Sequence, residues 1–191
     1  MKTITVTAIL GAILVFCGFG LAQAQTQTKD EKKTISQVLD ASIKTVEADF
    51  VPAAEAMPEE KYGFAPSNGE FKGVRTFAEQ IKHVAASNYL IAAHILGEKP
   101  PADANDGKGP DSMRSKADIL KYLKDSFAYA HKSVATITDA NALEPIPTSD
   151  GKGRTTRLSV ALIFSWHGFD HYGQMVEYLR MNGIVPPASR Q

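Results

Sequence analysis

The sequence predicts an all-α fold, a four-helix bundle with long connecting loops, preceded by an N-terminal signal peptide. Three observations carry the prediction. Apolar residues recur at three- and four-residue spacing in four separate stretches, three of these open on a hydroxyl residue with a polar partner three places on, and none shows the period-two alternation of a strand. Helices of that length, each with one apolar stripe, bury those stripes against one another.

The chain begins with Met1 and Lys2, a minimal positive n-region, followed by an almost uninterrupted apolar run to Leu21 and by Ala22-Gln23-Ala24, the small-x-small cleavage pattern of secretory signals. Residues 1–24 are therefore expected to direct export to the periplasm or the medium and to be removed, leaving no stable membrane anchor. The alternative is an uncleaved signal that holds the chain at the membrane, since the run is long enough to span a bilayer. Phe16 ahead of Cys17 places a bulky ring where lipidation signals carry a small residue, which argues against a lipoprotein. Residues 25–33 read as a flexible linker and residues 34–191 as one domain. Cys17 is the only cysteine, so the exported domain has no disulfide, thiolate ligand or cysteine nucleophile. Lys and Arg number 21 against 21 Asp and Glu, which gives no broad basic field for nucleic acid.

The first helix follows the capping box Thr34-Ile35-Ser36-Gln37 and carries Ile35, Leu39, Val46, Phe50, Ala53 and Met57 on one face, with Pro52 expected to kink or end it. The second opens on Thr76-Phe77-Ala78-Glu79 and runs to Gly97, a residue suited to a C-terminal cap. The third follows Ser115-Lys116-Ala117-Asp118 and presents Ile119, Leu123, Phe127, Val134 and Ile137. The fourth starts near Thr155 or Thr156 and is stopped by Gly183 and Pro186-Pro187. The connections, Glu59 to Arg75, Glu98 to Arg114 and Asn141 to Arg154, are long enough for crossovers or for a lid at one end of the bundle.

The fourth helix carries the most informative motif. His167 and His171 stand four residues apart, so their rings leave one helix face a turn apart and can converge on one metal ion. Val160, Phe164, His167, His171, Met175 and Tyr178 form a single stripe, which points the pair inward. Spacing alone leaves two readings open, a metal-binding pair or two core histidines satisfied by ordinary hydrogen bonds. On the second helix, His83 shares a face with Glu79, Gln80, Ser87, Leu90 and His94, a mixture that suggests a wet pocket in which Gln80 or Glu79 orients a ligand. His94 lies roughly 16 Å along the axis from His83 and cannot share an ion with it. It reads, like His131, as a hydrogen-bonded or partly exposed histidine. Gln174, one turn beyond His171, is either an orienting group or a packing residue. Trp166, Phe169, Tyr172 and Tyr178 read as core or as a homodimer interface rather than as a ligand-stacking surface.

The segments Tyr62-Gly63-Phe64-Ala65-Pro66, Gly73-Val74-Arg75-Thr76-Phe77-Ala78-Glu79-Gln80-Ile81-Lys82-His83-Val84, His167-Gly168-Phe169-Asp170-His171-Tyr172-Gly173-Gln174 and Tyr178-Leu179-Arg180-Met181-Asn182-Gly183-Ile184-Val185-Pro186-Pro187 together resemble the DinB superfamily of metalloenzymes. The resemblance implies a four-helix bundle that holds a divalent cation with three histidines, one from the second helix and two from the fourth. In this sequence those residues are His83, His167 and His171, with Gln80 and Gln174 as second-layer candidates. It implies zinc or nickel as the cation, with iron, copper and manganese as further candidates, since imidazole sets discriminate weakly among them.

Three imidazoles leave coordination positions open, the arrangement of a catalytic ion. The expectation is a metal-dependent hydrolase or transferase acting on a small molecule that the sequence does not name. Zinc peptidases of the HExxH type place Glu directly after the first histidine. Gly168 stands there, which excludes that mechanism. Thiol-dependent S-transfer, known in the family, is an alternative that an exported location disfavours, because small thiols are scarce outside the cytosol. The contrasting alternative is a non-catalytic exported bundle that keeps its ion for structure or for a partner.

Overall fold

In a computed structural model that describes residues 32–190, Thr34 caps α1, Ile35–Ala56, with its hydroxyl accepting from the Gln37 amide while the Gln37 side chain accepts from the Thr34 amide. The signal segment expected over 1–24 lies outside the described residues, as does the linker up to residue 31. Among the described residues, no helix is long and apolar enough to cross a membrane. Thr76 and Glu79 form the second capping box and start α2, Phe77–Leu96, which closes on a left-handed Gly97. Ser115 caps α3, Lys116–Val134, and Thr156 caps α4, Arg157–Met181.

Two expectations are corrected. Pro52 does not end α1, for the helix runs on to Ala56. A proline costs one intrahelical donor, and the neighbouring Phe50, Ala53 and Ala54 are buried deeply enough to hold the helix through it. The fold is also not purely helical. Pro145–Pro147 (β1) and Arg154–Thr156 (β2) pair antiparallel in the α3–α4 connection, with Ile146 opposite Thr155. Strands of three residues are too short to show alternation in sequence, and two prolines in β1 hide it further.

The stripes meet as expected. Leu39, Val46, Phe50, Ala53 and Met57 of the first helical segment, Ile119, Leu123, Phe127, Val134 and Ile137 of the third, and Phe164, Met175 and Tyr178 of α4 are buried in one core. In the bundle α1 packs on α3 and α4, and α2 packs on α3 and α4, so the helices follow one another around the bundle as α1, α3, α2, α4. The α1–α2 and α3–α4 connections therefore cross the bundle diagonally, and their length has a use. The α2–α3 connection joins neighbours; its length goes instead into a short 3-10 turn, Asn105–Gly107, that lies against α2.

Candidate metal centre

His83 lies two turns into α2, and His167 and His171 lie mid-way along α4, one turn apart. Because α2 and α4 are neighbours in the bundle, residues more than 80 positions apart face each other. Gly168 sets how closely α4 can sit in this arrangement. A Cβ at that position would stand 2.5 Å from Val46 Cγ1 of α1, so any side chain would force either Val46 or the α1–α4 contact to give way.

The three rings form a compact cluster. Ring centroids are 5.0 Å apart for His83 and His167, 4.7 Å for His83 and His171, and 4.6 Å for His167 and His171. The nitrogens they offer lie within 4.8 Å of one another, and His83 Nε2 and His167 Nε2 are 3.1 Å apart. His171 is buried, while His83 and His167 are half-buried.

Hydrogen bonds orient the rings. His83 Nδ1 lies 2.5 Å from the Gly107 carbonyl oxygen, which can only accept, so Nδ1 carries the proton and Nε2 keeps its lone pair. His171 Nδ1 donates to Gln80 Oε1 at 2.6 Å. The Gln80 amide is held in that sense because its Nε2 donates to Gln174 Oε1 at 2.8 Å, and Gln174 Nε2 reaches Asp170 Oδ2 at 3.3 Å. A chain Asp170–Gln174–Gln80–His171 thus fixes one tautomer, as outer carboxylates and carbonyls do for metal-ligating histidines.

The rings are also neutral. Burial pushes His171 down to about 3 and His167 to about 4, with neighbouring imidazoles and the Arg75 guanidinium acting in the same direction; burial likewise lowers His83. Neutral imidazoles with inward lone pairs are what a divalent cation requires. Two nitrogens set tetrahedrally around zinc at its usual bond length are about 3.4 Å apart, close to the 3.1 Å between His83 Nε2 and His167 Nε2. The donor set fits such an ion.

From His167 a cavity of about 600 Å³ extends between α2 and α4 toward His94, beneath the hairpin connection. Gln80, with 1% exposure, is the orienting residue of α2. Glu79 is not: its carboxylate is committed to Thr76 at the helix cap. His131 sits outside the cluster, bonded to Asp40 and Glu47. Of the aromatic residues expected in the core or at a homodimer interface, Tyr178 is buried, while Trp166 and Phe169 are exposed on α4 and so lie outside the core.

A family model described as the DinB superfamily matches residues 42–175. The chain belongs to the DinB superfamily. Three solved structures share the fold: a conserved protein from Enterococcus faecalis (13% identity, 78% of this chain and 98% of that one, TM-score 0.63), a DinB-like protein from Bacillus cereus (14%, 82% and 98%, 0.63), and YfiT from Bacillus subtilis (18%, 82% and 94%, 0.55). YfiT is described as a probable metal-dependent hydrolase with an unusual four-helix bundle topology. Among curated proteins no sequence match is found.

In this DinB-superfamily chain, sequence reasoning missed Gly107. Gly107 has φ +83°, and the Asn105 and Asp106 that precede it also have positive φ, so the loop turns its carbonyl onto His83. The run Asn105-Asp106-Gly107-Lys108-Gly109 announced such a turn, though not its target.

Proposed function

We propose that this protein binds one divalent cation through His83, His167 and His171 and uses it as a metal-dependent hydrolase or transferase on a small molecule. The convergence of three imidazoles, two of them with Nε2 lone pairs turned inward by the Gly107 carbonyl and the Gln80–Gln174 chain, is the observation that carries the reading. The description of YfiT, which shares the fold, supports it. A divalent cation bound there supplies Lewis acidity, polarising a carbonyl or phosphoryl group and acidifying water.

The chain's own residues do the rest. Gln80 and the Gly107 carbonyl hold the Nδ1 protons of His171 and His83, which keeps both rings from rotating and raises their basicity as donors. Burial keeps the imidazoles unprotonated at neutral pH. The cavity beside His167 offers a largely apolar wall for a substrate to pack against. The signal pattern in residues 1–24 supports export as the location in which this takes place.

Elemental analysis of the isolated protein tests the site. One divalent ion per chain is expected, lost in each of His83→Ala, His167→Ala and His171→Ala, and retained in His131→Ala. A cobalt-substituted sample then separates catalysis from a structural ion. A visible spectrum that responds to added phosphate or acetate indicates open coordination positions, whereas a spectrum indifferent to both supports the non-catalytic alternative.

A further inference from the structure

The cavity beside His167 has two chemically different ends and an apolar middle. Its middle is formed by Leu90, Ile91 and Ala93 of α2 with Val160 and Ile163 of α4. At the end remote from the three histidines lie His94, Glu98 and Ser149. Glu98 is the only formally charged side chain on the lining. Glu98 lies at the exposed rim, where one of its oxygens accepts from Tyr129 Oη at 2.5 Å and, among the described residues, no protein donor reaches the other. His94 Nε2 is enclosed and has no hydrogen-bond partner in the protein. Buried polar groups in native proteins ordinarily find partners, which His94 Nε2 lacks, whereas the free Glu98 oxygen faces solvent at the mouth of the cavity.

We propose that this cavity binds an elongated small molecule with an apolar middle and an amine head, the head seated at Glu98 and the opposite end delivered to His167. The inference rests on the metal reading only for what happens at the His167 end. An ammonium group at Glu98 gains a charge-assisted hydrogen bond where the protein offers no competing cation on the lining. A carboxylate in the same place meets a like charge and finds no arginine or lysine on the wall to offset it. An alkyl or aryl segment fits between Leu90 and Ile163, which a fully polar metabolite would leave unsatisfied. The protein as a whole has no net charge, so a preference for an amine over an acid arises at this wall rather than from a general field.

Titration with hexylammonium, 1-hexanol and hexanoate, followed by calorimetry and by amide shifts of Ser149 and Ile163, tests the site on the full chain. Hexylammonium is expected to bind about tenfold more tightly than hexanoate, the size of one partly exposed charge-assisted hydrogen bond, with hexanol between them. In Glu98→Gln the difference between ammonium and carboxylate should shrink to within about threefold, and in Ile163→Trp all three probes should lose binding while the thermal midpoint stays near that of the parent. Equal or tighter binding of hexanoate to His83→Ala protein that holds no ion, in which its carboxylate has no cation to ligate, overturns the assignment of the head. Binding that persists in Ile163→Trp overturns the site. An amine preference that survives in His83→Ala protein shown by elemental analysis to hold no ion supports the cavity assignment independently of the metal centre, so failure of one reading is distinguishable from failure of the other.

Discussion

Gln80 has the most exacting position of any side chain outside the histidine trio. It is buried on α2, accepts from His171 Nδ1, and donates to Gln174. Gln80→Leu preserves its bulk but removes the acceptor, leaving the His171 N–H without a partner and the ring free to turn. Metal affinity, measured by competition with a chromophoric chelator, should fall about 10–100-fold; an unchanged affinity would show that Gln80 only packs. The histidines themselves set a pH dependence. His167 and His171 take up protons in the folded protein only near about 4 and about 3, whereas in the unfolded chain they do so near 6.5. Below 6.5 the unfolded state therefore binds protons that the folded state refuses, and stability of the metal-free protein is greatest above that value and falls as pH drops through it. Urea unfolding between pH 7.5 and 5 reads this effect together with that of His83, which burial also lowers, while the Asp40 and Glu79 carboxyls, held below their usual range, remain ionised there. His171→Leu should flatten the slope; a variant as steep as the parent would place the titration elsewhere.

At the scale of the helix, Gly168 and the caps decide where the histidines stand. The Cβ of a Gly168→Ala variant would sit 2.5 Å from Val46 Cγ1, a distance that requires Val46 or one of the two helices to shift. Overpacking of this kind costs about 1–3 kcal/mol. Val46→Ala in the same chain opens the space, so the double variant should recover part of the loss, and a double-mutant cycle of chemical unfolding reads that coupling directly. Additive losses would mean that α4 is seated by something else. The caps explain why helix starts were legible. Thr34, Thr76 and Ser115 each accept from the amide three residues on, so the motif in the sequence is itself the local structure. Pro52 was legible as a proline but not in its effect, because local backbone preference there yields to burial of the α1 face. The β1–β2 hairpin left no trace, since three-residue strands are held by pairing that only the folded loop provides. Within the site, the His167–His171 pair was plain from helical spacing. The choice of His83 over His94 followed from the family resemblance, because the two lie on nearly one face of α2 and only the position of α4 and the Gly107 loop separates them.

Across the whole molecule, the helix order α1, α3, α2, α4 turns the cluster into a tie between parts of the chain that are remote in sequence. No local pattern could reveal this order, for it depends on which apolar stripes find each other after two diagonal crossings. Its thermodynamic consequence is specific. In the unfolded chain His167 and His171 can still meet on a transient turn, but His83 lies 84 residues from His167 and joins them only when α2 packs on α4. A cation that needs all three rings therefore stabilises the native state with little competition from the unfolded one, by about 4 kcal/mol when its free concentration is a thousandfold above its dissociation constant. For a domain of this size that corresponds to roughly 10 °C in the thermal midpoint. Differential scanning calorimetry with saturating zinc against a chelator should show a shift of this order for the parent and almost none for His83→Ala, although that variant keeps the histidine pair of α4 intact. Should His83→Ala retain the full shift, α4 alone would be holding the ion, and the tie between α2 and α4 would have to be abandoned.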